Sequence, residues 1–232
     1  LSAAVAELHD YDWLDQHLLP DEKVTIRNVS NNYGILVLTG PRSRDVMSKL
    51  TDADLSNEAF RWMQAKNIEL SGIPLRALRV SFVGELGWEL HHPLEKMEAL
   101  YDTLLEAGSE YGIANFGTYA MNSLRMEKAY KGWGSELTTE ITPIEAGLER
   151  FVDFNKCFLG REATLSRKLL GVNTKLVYVS VKTTDSDCLG NEPVLDLESS
   201  ETDRKIIGVT TSGDYGHTVG MSLAFAYVQP QY

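Results

Sequence analysis

Cysteine is scarce. Only Cys157 and Cys188 occur in 232 residues, which leaves no disulfide framework and no zinc-ligand pattern and makes a reducing compartment the default. Positive charge is also short. The 22 Lys and Arg stand against 33 Asp and Glu, a net charge of -11, so the chain lacks the basic stripe of a nucleic-acid surface and the cationic face that draws proteins to anionic membranes. No apolar run approaches the length of a membrane span, and the opening Leu1-Ser2-Ala3-Ala4-Val5 lacks the cationic flank of a secretory signal. The histidines His9, His17, His91, His92 and His217 have no ligand spacing with carboxylates or cysteines, so no metal site is expected. Internal repeats, low-complexity tracts and a Gly-x-Ser-x-Gly nucleophile elbow are missing as well.

What is present is a core-forming composition, 43% apolar, enough for one large domain or one and a half ordinary ones. The spacing predicts a helix over Leu1–Leu19, in which Asp10, Asp12 and Asp15 form a solvated face, and strands over Val24–Val29 and Gly34–Leu38. A helix opens after Thr39-Gly40-Pro41, and a short helix is expected within Asp54–Lys66. Ile68–Leu70 and Ile73–Phe82 read as paired strands, with Trp88–His91 as the return. Glu95–Gly112 is strongly amphipathic, with Met97, Leu100, Tyr101, Leu104 and Leu105 at helical spacing. From Lys175 the texture becomes strand-like, over Lys175–Lys182, Ile206–Thr211 and Leu223–Val228, with Ser212–Gly216 expected as a hairpin turn. The class is α+β. A domain boundary is expected near Gly171, separating 1–170 from 171–232. Some sixty residues with four or five strands scarcely close a barrel, so the second domain is expected to be an incomplete barrel. The start on Leu1 reads as a piece of a longer chain.

Two stretches carry chemistry. Val83-Gly84-Glu85-Leu86-Gly87-Trp88-Glu89 places Glu85 at the tip of a tight turn between two glycines. In the helical run Gly117–Trp133, Arg125 falls between Met121 and Ala129, inside the apolar sector, where a charge must find partners. Lys128 lies near that sector but at the helix end, where it can snorkel out. Read from residue types alone, Glu85 and Arg125 are as well explained by a structural ion pair as by a binding site. Gly132–Pro143, carrying Trp133, Thr138, Thr139 and Glu140, has no period and reads as a functional loop.

Gly84-Glu85-Leu86-Gly87-Trp88-Glu89-Leu90, Ser123-Leu124-Arg125-Met126-Glu127-Lys128 with Trp133-Gly134, and Thr142-Pro143-Ile144-Glu145-Ala146-Gly147-Leu148 resemble the aminomethyltransferase family. That family comprises the glycine cleavage T-protein and its relatives, and the wording is closest to the folate-binding half of dimethylglycine and sarcosine dehydrogenases. Phe158-Leu159-Gly160-Arg161-Glu162-Ala163 and Thr211-Ser212-Gly213-Asp214-Tyr215-Gly216 extend the resemblance over nearly the whole chain.

The resemblance implies a folate-binding domain followed by a C-terminal β-barrel. It also implies tetrahydrofolate as the one-carbon acceptor and, in dehydrogenase relatives, a preceding flavin domain carrying FAD. Glu85 takes the role of a carboxylate accepting two adjacent pterin N–H groups. Arg125 matches a substrate-contacting arginine, and Trp133 offers a flat wall for the pterin. The family's catalytic acidic residue would lie upstream of this chain, so none is nominated here. A free-standing T-protein and a catalytically silent regulatory homologue, as in the pyruvate dehydrogenase phosphatase regulatory subunit, share the resemblance. So does a folate-binding branch implicated in iron-sulfur protein maintenance, whose Cys-aromatic-x-Gly-x-Glu motif is approached at Lys156–Glu162. Cys157 is read instead as a small buried hydrophobe. Bacterial cytoplasm or mitochondrial matrix are the compartments that fit, with no nucleic acid or membrane partner.

Overall fold

A computed structural model describes residues 6–198 and 204–232. They form two compact units, residues 6–81 with 85–115, and residues 82–84 with 116–198 and 204–232.

The first unit is built on an antiparallel sheet in the order β1-β4-β3-β2, from β1 (Tyr33–Thr39), β2 (Ala65–Leu70), β3 (Ile73–Leu78) and β4 (Gly87–Pro93). Strand alternation sends Leu38, Leu70, Leu75, Ala77, Trp88 and Leu90 to one face. There they meet Val46 and Met47 of α2 (Ser43–Ser48) and Leu100, Leu104 and Ala107 of α3 (Met97–Gly108). Tyr33, Ile35 and Val37 of β1 alternate to the opposite face and remain exposed. The amphipathic run ends as expected. A 3-10 turn over Ser109–Tyr111 leads into Gly112 in the left-handed conformation, a helix stop that glycine adopts without steric cost.

Three local expectations are corrected. Val24–Val29 pairs with no strand among the described residues. Its alternation describes irregular backbone in which only Ile26 is partly buried, and Val24 and Val29 face solvent. Asp54–Gln64 forms bends and turns rather than a helix, with Ala65 and Lys66 already in β2, because the Asp54 side chain accepts from the Ser56 N–H and the Ser56 hydroxyl from the Ala59 N–H, which satisfies the backbone locally. One turn, Phe60 N–H to Ser56 C=O, drops Phe60 into the core. The N-terminal helix expected over Leu1–Leu19 is α1 (Glu7–Gln16), with no buried residue, Asp12 and Asp15 exposed and Asp10 partly buried. Residues 1–5 lie outside the described part.

The second unit holds α4 (Thr118–Glu127), α5 (Arg161–Leu170) and an antiparallel sheet in the order β5-β8-β7-β6. Its strands are β5 (Lys175–Val181), β6 (Pro193–Leu195), β7 (Ile206–Gly216) and β8 (Met221–Val228). Among the described residues these four strands form an open sheet, not a closed barrel. Met126 of α4 packs with Leu176, Leu223 and Phe225 at the core. The stretch Ser212–Gly216, expected to turn, is instead the second half of β7, and the reversal falls at His217–Gly220. Gly213 and Asp214 are turn-forming types, yet pairing with Ala224 and Leu223 of β8 outweighs their propensity.

No helix among the described residues is long and apolar enough to cross a membrane, and no group of three or more His, Cys, Asp or Glu there could hold a metal ion.

Candidate functional site

The second unit centres its polar chemistry on α4. The helix begins after the extended Gly117 and is anchored to β7 by two side chains. The Ser123 hydroxyl donates to the Tyr215 carbonyl at 2.6 Å, and the Asn122 amide donates to Asp214 Oδ2 at 2.9 Å. Arg125 is 3% exposed, and its guanidinium is held on two edges. Nε donates to Asn122 Oδ1 at 2.9 Å, while Nη1 donates to the Tyr130 carbonyl at 2.9 Å and to Glu136 Oε2 at 2.8 Å. The guanidinium carbon also sits 5.9 Å from the Phe225 ring centroid, a cation–π distance. Nη2 has no partner among the described residues.

The chain turns back to reach that guanidinium. Ala129 takes a left-handed φ of 53°, the Tyr130 N–H bonds to the Arg125 carbonyl at 3.0 Å, and the Tyr130 carbonyl is thereby aimed at Nη1. The Gly132–Leu137 loop then closes on itself. Glu136 and Leu137 N–H both donate to the Gly132 carbonyl, Gly134 N–H donates to the Leu137 carbonyl, and Gly132 N–H donates to Glu136 Oε2 at 2.7 Å. Trp133 sits in this loop, 53% exposed.

Glu136 is wholly buried. Its Oε1 accepts from the Thr211 hydroxyl at 2.7 Å and from the Ser212 hydroxyl. Successive strand residues normally face opposite ways. Here Thr211 is the extra residue of a bulge between Thr210 and Ser212, which lets both hydroxyls reach one oxygen. Burial pushes the Glu136 carboxyl up. The Ser212 hydroxyl, the Gly132 N–H, the Thr211 hydroxyl and the Arg125 charge together outweigh it, and the net displacement is below the usual carboxylate range.

The buried arginine therefore has Glu136 as its charge partner, a residue the sequence reading did not single out. The signal was available in part: a charge in an apolar sector demands a carboxylate, and Glu136 is one of two acids in the loop that leaves the helix. The hydroxyl partners on β7, seventy-five and seventy-six positions away, had no local signal.

Glu85 lies in the bend before β4, exposed, and its carboxylate has no partner among the described residues. The adjacent Gly84 requires glycine. Its φ is +75°, and a Cβ there would run into the methylene stem of Lys128, whose exposed chain extends from the end of α4 as expected. Phe82 stacks on Tyr130, ring centroids 6.2 Å apart and 22° from parallel. Cys157 is exposed, not the buried hydrophobe expected, because it stands in the irregular turn between the 3-10 turn at Glu149–Phe151 and α5.

Behind the loop, the Tyr227 hydroxyl donates to the Glu136 carbonyl at 2.7 Å. Burial, then the nearby Glu136 and Glu145 charges, push its pKa up to about 12. A folded-state value above the unfolded value of about 10 contributes stability that is full below pH ~10 and lost as pH rises through ~12. Alkaline unfolding followed by circular dichroism is expected to show this loss, and Tyr227→Phe to flatten it.

On this mixed scaffold a buried arginine is clamped to a closed loop that carries an exposed tryptophan, and comparison with known proteins gives the chain a family. Residues 1–156 match the GCVT N-terminal domain and residues 175–232 match the glycine cleavage T-protein C-terminal barrel domain, so the chain belongs to the glycine cleavage T-protein family. It is 43% identical over 234 residues to mitochondrial dimethylglycine dehydrogenase of Homo sapiens, a match covering 100% of this chain and 26% of that protein. It is 33% identical over 224 residues to an aminomethyltransferase of Caldanaerobacter subterraneus, covering 96% of this chain and 58% of that one. The crystal structure of glycine cleavage system aminomethyltransferase T from Bartonella henselae superposes with a TM-score of 0.80 at 26% identity, over 99% of this chain and 60% of that one. The chain thus spans about a quarter of the dehydrogenase it matches.

Proposed function

We propose that this chain binds tetrahydrofolate and serves as the one-carbon-accepting part of a dimethylglycine or sarcosine dehydrogenase-like enzyme. In such an enzyme a separate flavin domain with FAD oxidises the N-methyl amine, in the mitochondrial matrix or the bacterial cytoplasm. Tetrahydrofolate supplies the nitrogens on which the released carbon is captured. The folate-binding part is taken to end near Gly171, whose φ of 89° closes α5.

The observation that carries this reading is Arg125. A guanidinium with three hydrogen bonds already fixed, and with Nη2 left open, is oriented before any ligand arrives, which lowers the ordering cost of gripping an anionic or carbonyl group. Trp133 offers an exposed ring face, of the kind that stacks on a pterin. Glu85 is proposed, on the family motif and its unpartnered carboxylate, as the acceptor of two pterin N–H groups. These residues bind and orient; none is assigned a proton-transfer role.

Calorimetric titration of tetrahydrofolate into the chain tests the reading. Saturable binding is expected, weakened by more than about tenfold, or ~1.4 kcal/mol, in Glu85→Ala and separately in Arg125→Ala. Binding that neither substitution changes would refute these assignments.

A further inference from the structure

Resting on the folate reading above, we propose that Glu136 is a positioning residue for ligand recognition. One carboxylate sets both the plane of the Arg125 guanidinium and the closure of the Trp133 loop. Each oxygen is doubly occupied: Oε2 by Arg125 Nη1 and the Gly132 N–H, and Oε1 by the Thr211 and Ser212 hydroxyls. A carboxylate so saturated, with none of its surface exposed, has no lone pair left for a ligand and no surface for one to touch. Its influence on binding must pass through what it holds.

What it holds are the two groups to which the folate reading assigns the ligand. With Nη1 fixed to Oε2 and Nε to Asn122, the planar guanidinium has one orientation, and Nη2 is the edge it presents. With the Gly132 N–H fixed to the same Oε2, the loop closes around Trp133. The hydroxyls of β7 then tie the carboxylate itself to the sheet, so the geometry is set by the rigid part of the unit and not by the loop. Packed and hydrogen-bonded support of this kind is what holds a binding group in place.

Glu136→Gln keeps the shape of the side chain and removes its charge. An amide cannot accept from Arg125 and Gly132 with one end and from two hydroxyls with the other unless the hydroxyls rotate. Three readouts are expected in the 232-residue chain. Tetrahydrofolate affinity falls by more than about tenfold. Amide hydrogen exchange accelerates at Gly132, Gly134, Glu136 and Leu137 while protection in β1 and β4 stays at the wild-type level. Adding Glu136→Gln to Arg125→Ala weakens binding by less than about twofold further, because the two residues act as one unit. If Glu136→Gln does not fold, Thr211→Val with Ser212→Ala keeps the ion pair and frees Oε1, and the same loop amides are expected to exchange faster. Glu136→Gln affinity within about twofold of wild type, or effects of the two substitutions that multiply independently, overturns the proposal. Failure of the wild-type chain to bind tetrahydrofolate overturns the functional reading and the ligand half of this one. Unchanged loop exchange in a Glu136 variant overturns the positioning half by itself.

Discussion

Replacing Arg125 by Ala lowers the stability of the second unit by about 3–5 kcal/mol, the range for removing one partner of a buried pair. The loss is large because of what remains. Glu136 stays buried with one oxygen deprived of its charged donor, and Asn122 Oδ1 and the Tyr130 carbonyl lose theirs. Urea unfolding followed through the signals of the β5–β8 sheet measures it. Neutralising the survivor reverses part of the damage: Arg125→Met with Glu136→Gln is expected to recover more than about 1 kcal/mol, since a neutral amide still bonds Gly132 and the β7 hydroxyls. The pH dependence has a definite sign. Glu136 is held below its usual pKa in the wild type, so it contributes stability above pH ~4.5 that is lost as pH falls through its folded value. In Arg125→Ala the carboxylate has lost its cation and takes up a proton more readily. The gap between wild type and variant therefore narrows on acidification. A loss below about 1 kcal/mol at neutral pH would mean that the pair is hydrated in solution.

Trp88→Ala is expected to cost the first unit about 3–5 kcal/mol, as for large aromatic truncations in a packed core. Trp88 is fully buried on β4, edge-on to Phe60 with centroids 6.3 Å apart, and the Phe60 position depends on the single turn at Ser56. Trp88→Phe separates packing from polarity. The indole Nε1 has no hydrogen-bond partner among the described residues, so the phenyl ring removes an unsatisfied donor while keeping most of the apolar surface. It should cost less than half of the alanine loss. Equal losses in the two variants would show that the indole N–H is satisfied by water after all.

How much could be read from the chain depended on how far apart the interacting residues lie. The alternation of β3 and β4 and the helical period of α3 are set by neighbours within a few positions, and these elements emerge there, although the strand expected to run to Phe82 ends at Leu78. Val24–Val29 has the alternation of a strand without a partner to pair with, and alternation alone cannot supply one. Ser212–Gly216 failed the other way: turn-forming residue types were overridden by a partner strand that begins only at Met221. At the site, the burial of Arg125 followed from its place in the helical period. The identity of its charge partner required the loop to fold back, and the hydroxyls that complete Glu136 required a bulge in β7 that no local pattern announces.

The spacing of that network orders events as the chain emerges during synthesis. Asn122, Tyr130 and Glu136 lie within eleven positions of Arg125, so the guanidinium can be satisfied soon after the helix and its loop exist. Oε1 of Glu136 must wait for Thr211 and Ser212, more than seventy residues later. Closing a loop of that length brings an entropic cost that grows only slowly with length, so the delay is set mainly by translation. Until β7 docks, the half-satisfied carboxylate keeps the loop wet, and a chain arrested before residue 211 is expected to carry α4 and its arginine without the rigid Trp133 loop.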